Sequence, residues 1–497
     1  MTDFFNRLFV KYPVKTRRFL ELLPGLTAWA IIFLPIYGSF LFPEALSWMI
    51  LFFDVYWFFK SFHLVITAYQ ATGKILAAEK DNWNDKAAKL PHYKDMTHVL
   101  VLPNYKESIT KLRATLQKLT YQTFPLKRMF IVLAMEERET DAEKKSAELI
   151  KEFKPYFGDV IATFHPDVIG EVKGKSSNEA YGGRVVYEIL YANHNYDIDY
   201  ATVTSVDADS IFDKQYFAYL THSFLTNKNP YRRFWQSANV FYNNLWDVPA
   251  PNRIISFFGS MYRTAVLVQG ERLIINATYS LSFKLLKEID FWDVDVIPED
   301  YRIFFKAFYR TKGESYAVPI FLKTSLDAPK SPTYLKSLQN KYEQERRWSW
   351  GVSDDPLFIK WWLTVPNVPF YRKTILLFHV LLDHQLWPVN WFIITVAANI
   401  MPIINPVYSR TTLGYMLPQI AASILTLCLL AIVALIYLDY KNSSEHRYVS
   451  KRRRLLFPIE FILMPIVGFF LSALPALISH TQLMLGKRLE YKVTEKT

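Results

Sequence analysis

Thr202-Val203-Thr204-Ser205-Val206-Asp207-Ala208-Asp209 is the stretch whose reading decides the fold. Tyr200 to Val206 is β-branched and apolar enough for a strand buried on both faces, the texture of a parallel sheet. It ends in two carboxylates separated by one small residue. In an open α/β sheet, ligands collect at the carboxyl ends of the strands, which is where Asp207 and Asp209 fall. Two hard oxygen ligands on a fixed turn suit Mg²⁺ or Mn²⁺ and leave positions for phosphate oxygens. A plain turn closed by aspartates is the other reading of the same residues.

Working outward, the flanking pattern alternates strand and helix. Thr97–Leu102, Met129–Ala134 and Val160–Phe164 read as strands. Ser108–Tyr121, Thr140–Phe153 and Ser176–Tyr191 read as helices. Such alternation means βαβ units and a mainly parallel, Rossmann-like sheet.

Beyond this region the chain changes character. Its 497 residues are 51% hydrophobic and 21% charged, too apolar for one soluble domain and too charged for a wholly membrane-embedded protein. Leu22–Phe42 and Leu46–Ala68 are each long enough to span a bilayer. Lys11, Lys15, Arg17 and Arg18 precede the first and hold the N-terminus in the cytoplasm, as a signal anchor. The net charge of +12 gathers beside the apolar runs, again at Lys451–Arg454, which reads as membrane topology and not as nucleic-acid binding. The single cysteine, Cys428, rules out a disulfide framework.

The expected organisation is a transmembrane hairpin over residues 1–75 and a cytoplasmic α/β domain over 76–355. Interfacial amphipathic helices follow over 356–388, then a transmembrane region over 389–485 and a cytoplasmic tail over 486–497. Asn390–Ile404 and Met416–Leu438 read as spans. Pro465 and Pro475 break the last apolar run, Phe457–Leu485, so it is expected not to cross completely. The protein is expected to be a multi-pass integral membrane protein of a bacterial inner or plasma membrane, with the lipid bilayer as a partner.

Five further motifs carry chemistry, each with a plainer reading. Tyr105 and Glu107 follow the first strand, where a ring can stack on a base and a carboxylate can bond a ribose; a helix start with Glu107 on its dipole is equally open. Glu136–Glu137 ends the second strand, or merely begins an acidic helix. Lys173-Gly174-Lys175-Ser176-Ser177-Asn178 opens a helix that could receive a diphosphate, or is a glycine turn with solvated lysines. Glu299–Asp300 starts a helix, as a dipole cap or as a general base. Gln344-Glu345-Arg346-Arg347-Trp348 joins indole, guanidinium and amide just before the membrane resumes, for diphosphate and sugar recognition or as an interfacial belt.

In this order, between membrane spans, these motifs resemble the membrane-embedded family 2 glycosyltransferases, which include the cellulose, hyaluronan and chitin synthases. The resemblance covers Thr97 to Gly351, and Gln-x-x-Arg-Trp is its most specific part. It implies a GT-A fold and inverting, metal-dependent transfer of a hexosyl or N-acetylhexosaminyl unit from a nucleotide-diphosphate sugar to a glycan or lipid-linked acceptor. By position it implies that Tyr105, Glu107, Glu137, Lys175, Asn178 and Asp207 hold the nucleotide sugar and that Asp209 binds Mg²⁺ or Mn²⁺. Asp300 would be the base, and Gln344, Arg347 and Trp348 would bind diphosphate and acceptor. Tyr491, Thr494 and Lys496 are similar to a cellulose-synthase gating loop. The motifs depart from the family's at Glu136–Glu137, where it has Asp-Asp, at Asn104, where it has a Thr, and at the gating-type motif, which begins with Tyr491 at the end of the sequence. A non-processive transferase acting on a lipid acceptor and a transporter with a soluble domain are the competing readings.

Overall fold

A computed structural model describes residues 2–192, 196–443 and 449–490. Eight strands form one sheet: β1 (Thr97–Asn104), β2 (Met129–Glu136), β3 (Asp159–His165), β4 (Ala201–Ser205), β5 (Ile211–Phe212), β6 (Arg233–Val240), β7 (Tyr279–Ser282) and β8 (Tyr316–Ser325). Their spatial order is β3-β2-β1-β4-β7-β6-β8-β5. β1 to β4 pair in parallel, as alternation of strand and helix predicts. β7 runs antiparallel to both β4 and β6, so the sheet is mixed beyond its first half. Every residue of β2 and of β4 is buried, which explains their unbroken apolar and β-branched runs. Apolar clusters cover both faces of the sheet, one built around Val99, Val101 and Val203 and the other around Leu100, Leu102 and Ile131.

Among the described residues, five helical runs are long and apolar enough to cross a membrane: Pro13–Leu41, Pro43–Ala78, Phe370–Ile404, Thr412–Asn442 and Lys451–Met484. The helix Phe370–Phe392, which overlaps the stretch 356–388 expected as interfacial helices, continues directly into the expected span Asn390–Ile404. The join is a π-helical turn at Ile393–Ala397, which carries the helix past Pro388 without ending it.

The last run differs from the other four. At its start, Glu460 takes a two-pronged ion pair from Arg253 of the α/β domain, with both bonds 2.8 Å long. Near its end, Ser479 donates to the Arg346 carbonyl at 2.7 Å. Thr481 meets the Trp29 indole at 3.0 Å, and Arg18 donates to the Leu483 carbonyl at 2.7 Å. Both ends of this run therefore touch the same domain. Pro458, Pro465 and Pro475, with a π turn at Phe469–Ala473, bend it between those anchors.

Candidate active site

Beneath the carboxyl ends of β1, β2 and β4 lies a cavity of ≈ 1450 Å³ that continues between the long apolar helices. Lys175 sits at its head, on the first residue of the helix Lys175–Tyr187. Its ammonium lies 2.9 Å from Asp207 and 2.8 Å from Glu299, and donates to the Ala277 carbonyl at 2.9 Å. Burial works against that charge, yet Asp207, Glu299 and Glu179 together push it well above the usual lysine range. One lysine thus ties the Asp-Ala-Asp turn to the start of the helix Glu299–Arg310.

Ala277 is the other hub. It adopts the left-handed conformation at φ 53°, costly for a residue with a Cβ and typical of a functional site. From there its N–H donates to Asp300 at 3.1 Å while its carbonyl receives Lys175. The loop is held from below: Asn239 donates to the Asn276 carbonyl at 2.7 Å, and the Asn276 N–H donates to Gln236 at 2.7 Å.

The second oxygen of Asp300 accepts the Tyr301 N–H at 2.9 Å. Burial raises the Asp300 carboxyl above its usual value, against the Ala277 hydrogen bond and the Lys175 charge. Burial likewise pushes Glu299 up to about 7, with Lys175 opposing. Carboxylates raised by desolvation in a cavity are what a proton-accepting site requires.

Asp209 is buried on the same turn, its carboxylate accepting the Asp327 N–H at 2.7 Å. Among the described residues no group of three or more His, Cys, Asp and Glu forms a metal cage. The pair nonetheless fits a cation that arrives with its substrate, because Mg²⁺ is commonly held by one or two carboxylates plus substrate phosphates.

Tyr105 and Glu107 border the cavity, and the Arg138 guanidinium lies 3.9 Å from the Tyr105 ring centre. Of the acidic pair, Glu136 is buried, lines the cavity and is paired with Arg138. Glu137 is exposed and lies outside the lining. Asn178 lines the cavity while donating to the Ala134 carbonyl at 2.6 Å.

The helix Tyr334–Ser349 brings Gln344, Arg347 and Trp348 to the same space. Lys341, which sequence reasoning passed over, organises them. Fully buried, it lies 2.8 Å from Glu345, donates to Gln344 at 3.0 Å and sits 4.7 Å from the Trp348 ring centre. Arg263 lies over the same Trp348 ring at 5.3 Å and over Phe241 at 4.8 Å. Lys341 precedes Glu345 by four residues and Trp348 by seven, a helical spacing visible in the sequence. Glu299 is marked in the sequence with Asp300, but Glu179 and Arg263 carry no such signal. Tyr491, Thr494 and Lys496 lie outside the described residues.

Residues 202–438 match the family model described as glycosyl transferase family group 2. No curated protein matches the chain. Among solved structures, the chain is similar to a mannosyltransferase from Pyrobaculum calidifontis in complex with GDP-Man and Mn²⁺. Identity is 14%, over 76% of this chain and 98% of that one, with a TM-score of 0.40. It is also similar to TarS 1–349 of S. aureus, with 12% identity over 79% and 92% of the two chains and a TM-score of 0.36. The family match thus spans Asp207, Asp209, Asp300 and the Gln344–Trp348 helix, and runs on into the long apolar helices.

Proposed function

We propose that this protein is a membrane-embedded GT-A glycosyltransferase that moves a sugar from a nucleotide-diphosphate sugar to an acceptor hydroxyl. The observation that carries this reading is the meeting of Asp207, Asp209, Lys175, Asp300 and Trp348 around one cavity at the carboxyl ends of the strands. Tyr105, Glu107 and Glu136, taken in place of Glu137, hold the nucleoside. Lys175 and Asn178 sit beside it. Asp209, with Asp207, holds the divalent cation, which when bound supplies positive charge to the departing diphosphate. Lys341 and Arg263 place Trp348, and with Arg347 and Gln344 it forms the diphosphate and acceptor side.

Asp300 takes the proton of the attacking hydroxyl. Its two oxygens are held by backbone N–H groups of Ala277 and Tyr301, so the carboxylate is aimed before substrate arrives. One base and no protein nucleophile is what a single displacement with inversion requires.

The α/β domain is placed in the cytoplasm. Pro13–Leu41, Pro43–Ala78, Phe370–Ile404 and Thr412–Asn442 cross the membrane, while Lys451–Met484 lies along the domain's membrane face. Four crossings return the chain to the side on which it began.

The test is an assay of purified full-length protein against a panel of nucleotide-diphosphate sugars, reading nucleoside diphosphate release with and without chelator. Release that requires Mg²⁺ or Mn²⁺ is expected. Release that ignores chelator, or none from any donor, sinks the reading.

A further inference from the structure

We propose that the acceptor is a lipid: a hydroxyl-bearing polar head reaching Asp300, on a long hydrocarbon tail lying between the apolar helices. This rests on the glycosyl-transfer reading above. The cavity does not end at the carboxylates but passes Tyr262, His384 and Lys60 and continues along the helix Thr412–Asn442. The residues that helix presents to it include Ala421, Leu425, Cys428, Ile432 and Ile436. Their spacing makes one continuous stripe about 22 Å long, on the scale of the ~30 Å hydrocarbon thickness of a bilayer.

Chemistry decides what fits that stripe. A sugar chain carries several hydroxyls per residue, and each one buried without a partner costs roughly 2–7 kcal/mol on transfer scales. This wall offers no such partner, since the Cys428 thiol points back to the Ile424 carbonyl. Three of the polar side chains on the facing helix Phe370–Ile404 bond inward, as do Ser61 and Thr67 of Pro43–Ala78, which donate to the Trp57 and His63 carbonyls at 2.8 and 2.9 Å. The Trp387 indole donates to Ser472 at 3.1 Å, Thr395 to the Trp391 carbonyl at 2.5 Å and Asn399 to the Thr395 carbonyl at 3.2 Å. The cavity also opens sideways. Leu429, Val433 and Ile462 line it and are 52%, 62% and 76% exposed, which we read as a gap between the helices. A tail can enter by that gap without leaving the bilayer. The polar head would then sit where Lys60 and Asp383 approach within 3.9 Å, between tail and base.

Cys428, the chain's one cysteine, lines the proposed tail site and reports on it without any turnover. Full-length protein in nanodiscs is labelled with N-ethylmaleimide in the presence of methyl glucoside, hexadecyl glucoside or a soluble cello-oligosaccharide. Hexadecyl glucoside is expected to slow labelling about tenfold or more, the scale of burying a few methylenes, and the other two to leave it unchanged. Leu429→Trp, which fills the gap, should abolish that protection. In the transfer assay, the ratio of kcat/KM for hexadecyl over methyl glucoside should exceed about ten and fall towards one in Leu429→Trp. A ratio within one variant is insensitive to how much of it has folded. Protection by the oligosaccharide instead would overturn the proposal in favour of a glycan strand, and equal labelling under all conditions would overturn it outright. A failure of glycosyl transfer itself would show separately, as absent nucleoside diphosphate release with protection of Cys428 intact.

Discussion

On the α/β side of the cavity, buried charges stand against one another: Lys175 between Asp207 and Glu299, Lys341 against Glu345, and Arg302 2.9 Å from Asp354. On the helical side, the stripe Ala421–Ile436 presents only apolar groups and one thiol. The difference teaches where specificity resides. Opposed charges fixed before substrate arrives can stabilise charge that moves, because they need not reorganise when it does. An apolar wall can select only by shape and hydrophobicity. The two walls share one space, and the proposed function puts the reacting bond where they meet.

The sharpest way to break this division is at Asp300. Asp300→Asn keeps an oxygen for the Ala277 N–H but cannot take a proton. Transfer is expected to fall roughly 10²- to 10⁴-fold while donor binding stays near normal. Near-normal transfer would move the chemistry elsewhere.

The next test concerns the charges behind the site. Arg302 lies two residues after Asp300 on one helix and pairs with Asp354, while Lys306 holds Asp293 at 2.7 Å. Arg302→Met strands the buried Asp354, and loss of one partner from such a pair destabilises by about 3–5 kcal/mol. A lowered thermal midpoint for Arg302→Met, with none for Leu430→Met on the lipid-facing side, would sharpen the contrast. Equal midpoints would erase it.

Asp209→Ala should weaken donor binding about tenfold or more in Mn²⁺, and much less when chelator is present, because the diphosphate loses the side chain holding its cation. Titration calorimetry with the nucleoside diphosphate reads this directly.

A smaller effect is expected from pH. Burial raises Asp300 and pushes Glu299 up to about 7, and the positive charge of Lys175 holds both down. A base must be ionised to act, so transfer is lost as pH falls through these values. Lys175→Met removes the restraining charge, raises both carboxyls further and shifts the acid limb of kcat/KM to higher pH. An unmoved or lowered limb would refute the coupling.

The division also depends on where the last apolar run lies. Of its most apolar stretch, 44% is buried, against 22% for Thr412–Asn442. Glu490→Cys in a Cys428→Ser background should resist a membrane-impermeant thiol reagent in intact cells. Labelling from outside would make Lys451–Met484 a crossing helix and detach it from the domain.

Much of this was legible in the sequence for physical reasons. β1, β2 and β4 are buried on both faces, so their runs are unmistakable, and the candidate site residues follow where these strands end. Which of Glu136 and Glu137 faces inward was not legible, because a strand flips side with each residue and only the end of β2 fixes the phase. Lys341 was readable from helical spacing alone. Arg263 and Glu179 become site residues only through contacts across the fold. The helical run Phe370–Ile404 passes through residue 388, where the sequence suggests a boundary. His384 is buried against Asp355 at 2.7 Å, a pairing no local pattern reveals.

The run Lys451–Met484 has a consequence in time. It leaves the ribosome after every other wall of the cavity has been made, including both helices that hold the Ala421–Ile436 stripe and its facing Trp387. Until Glu460 reaches Arg253 and Ser479 reaches Arg346, the chamber lacks one side and the helix bearing Trp348 lacks its neighbour. The cavity is therefore assembled with one side open, and the synthesis of this run is the step that closes it.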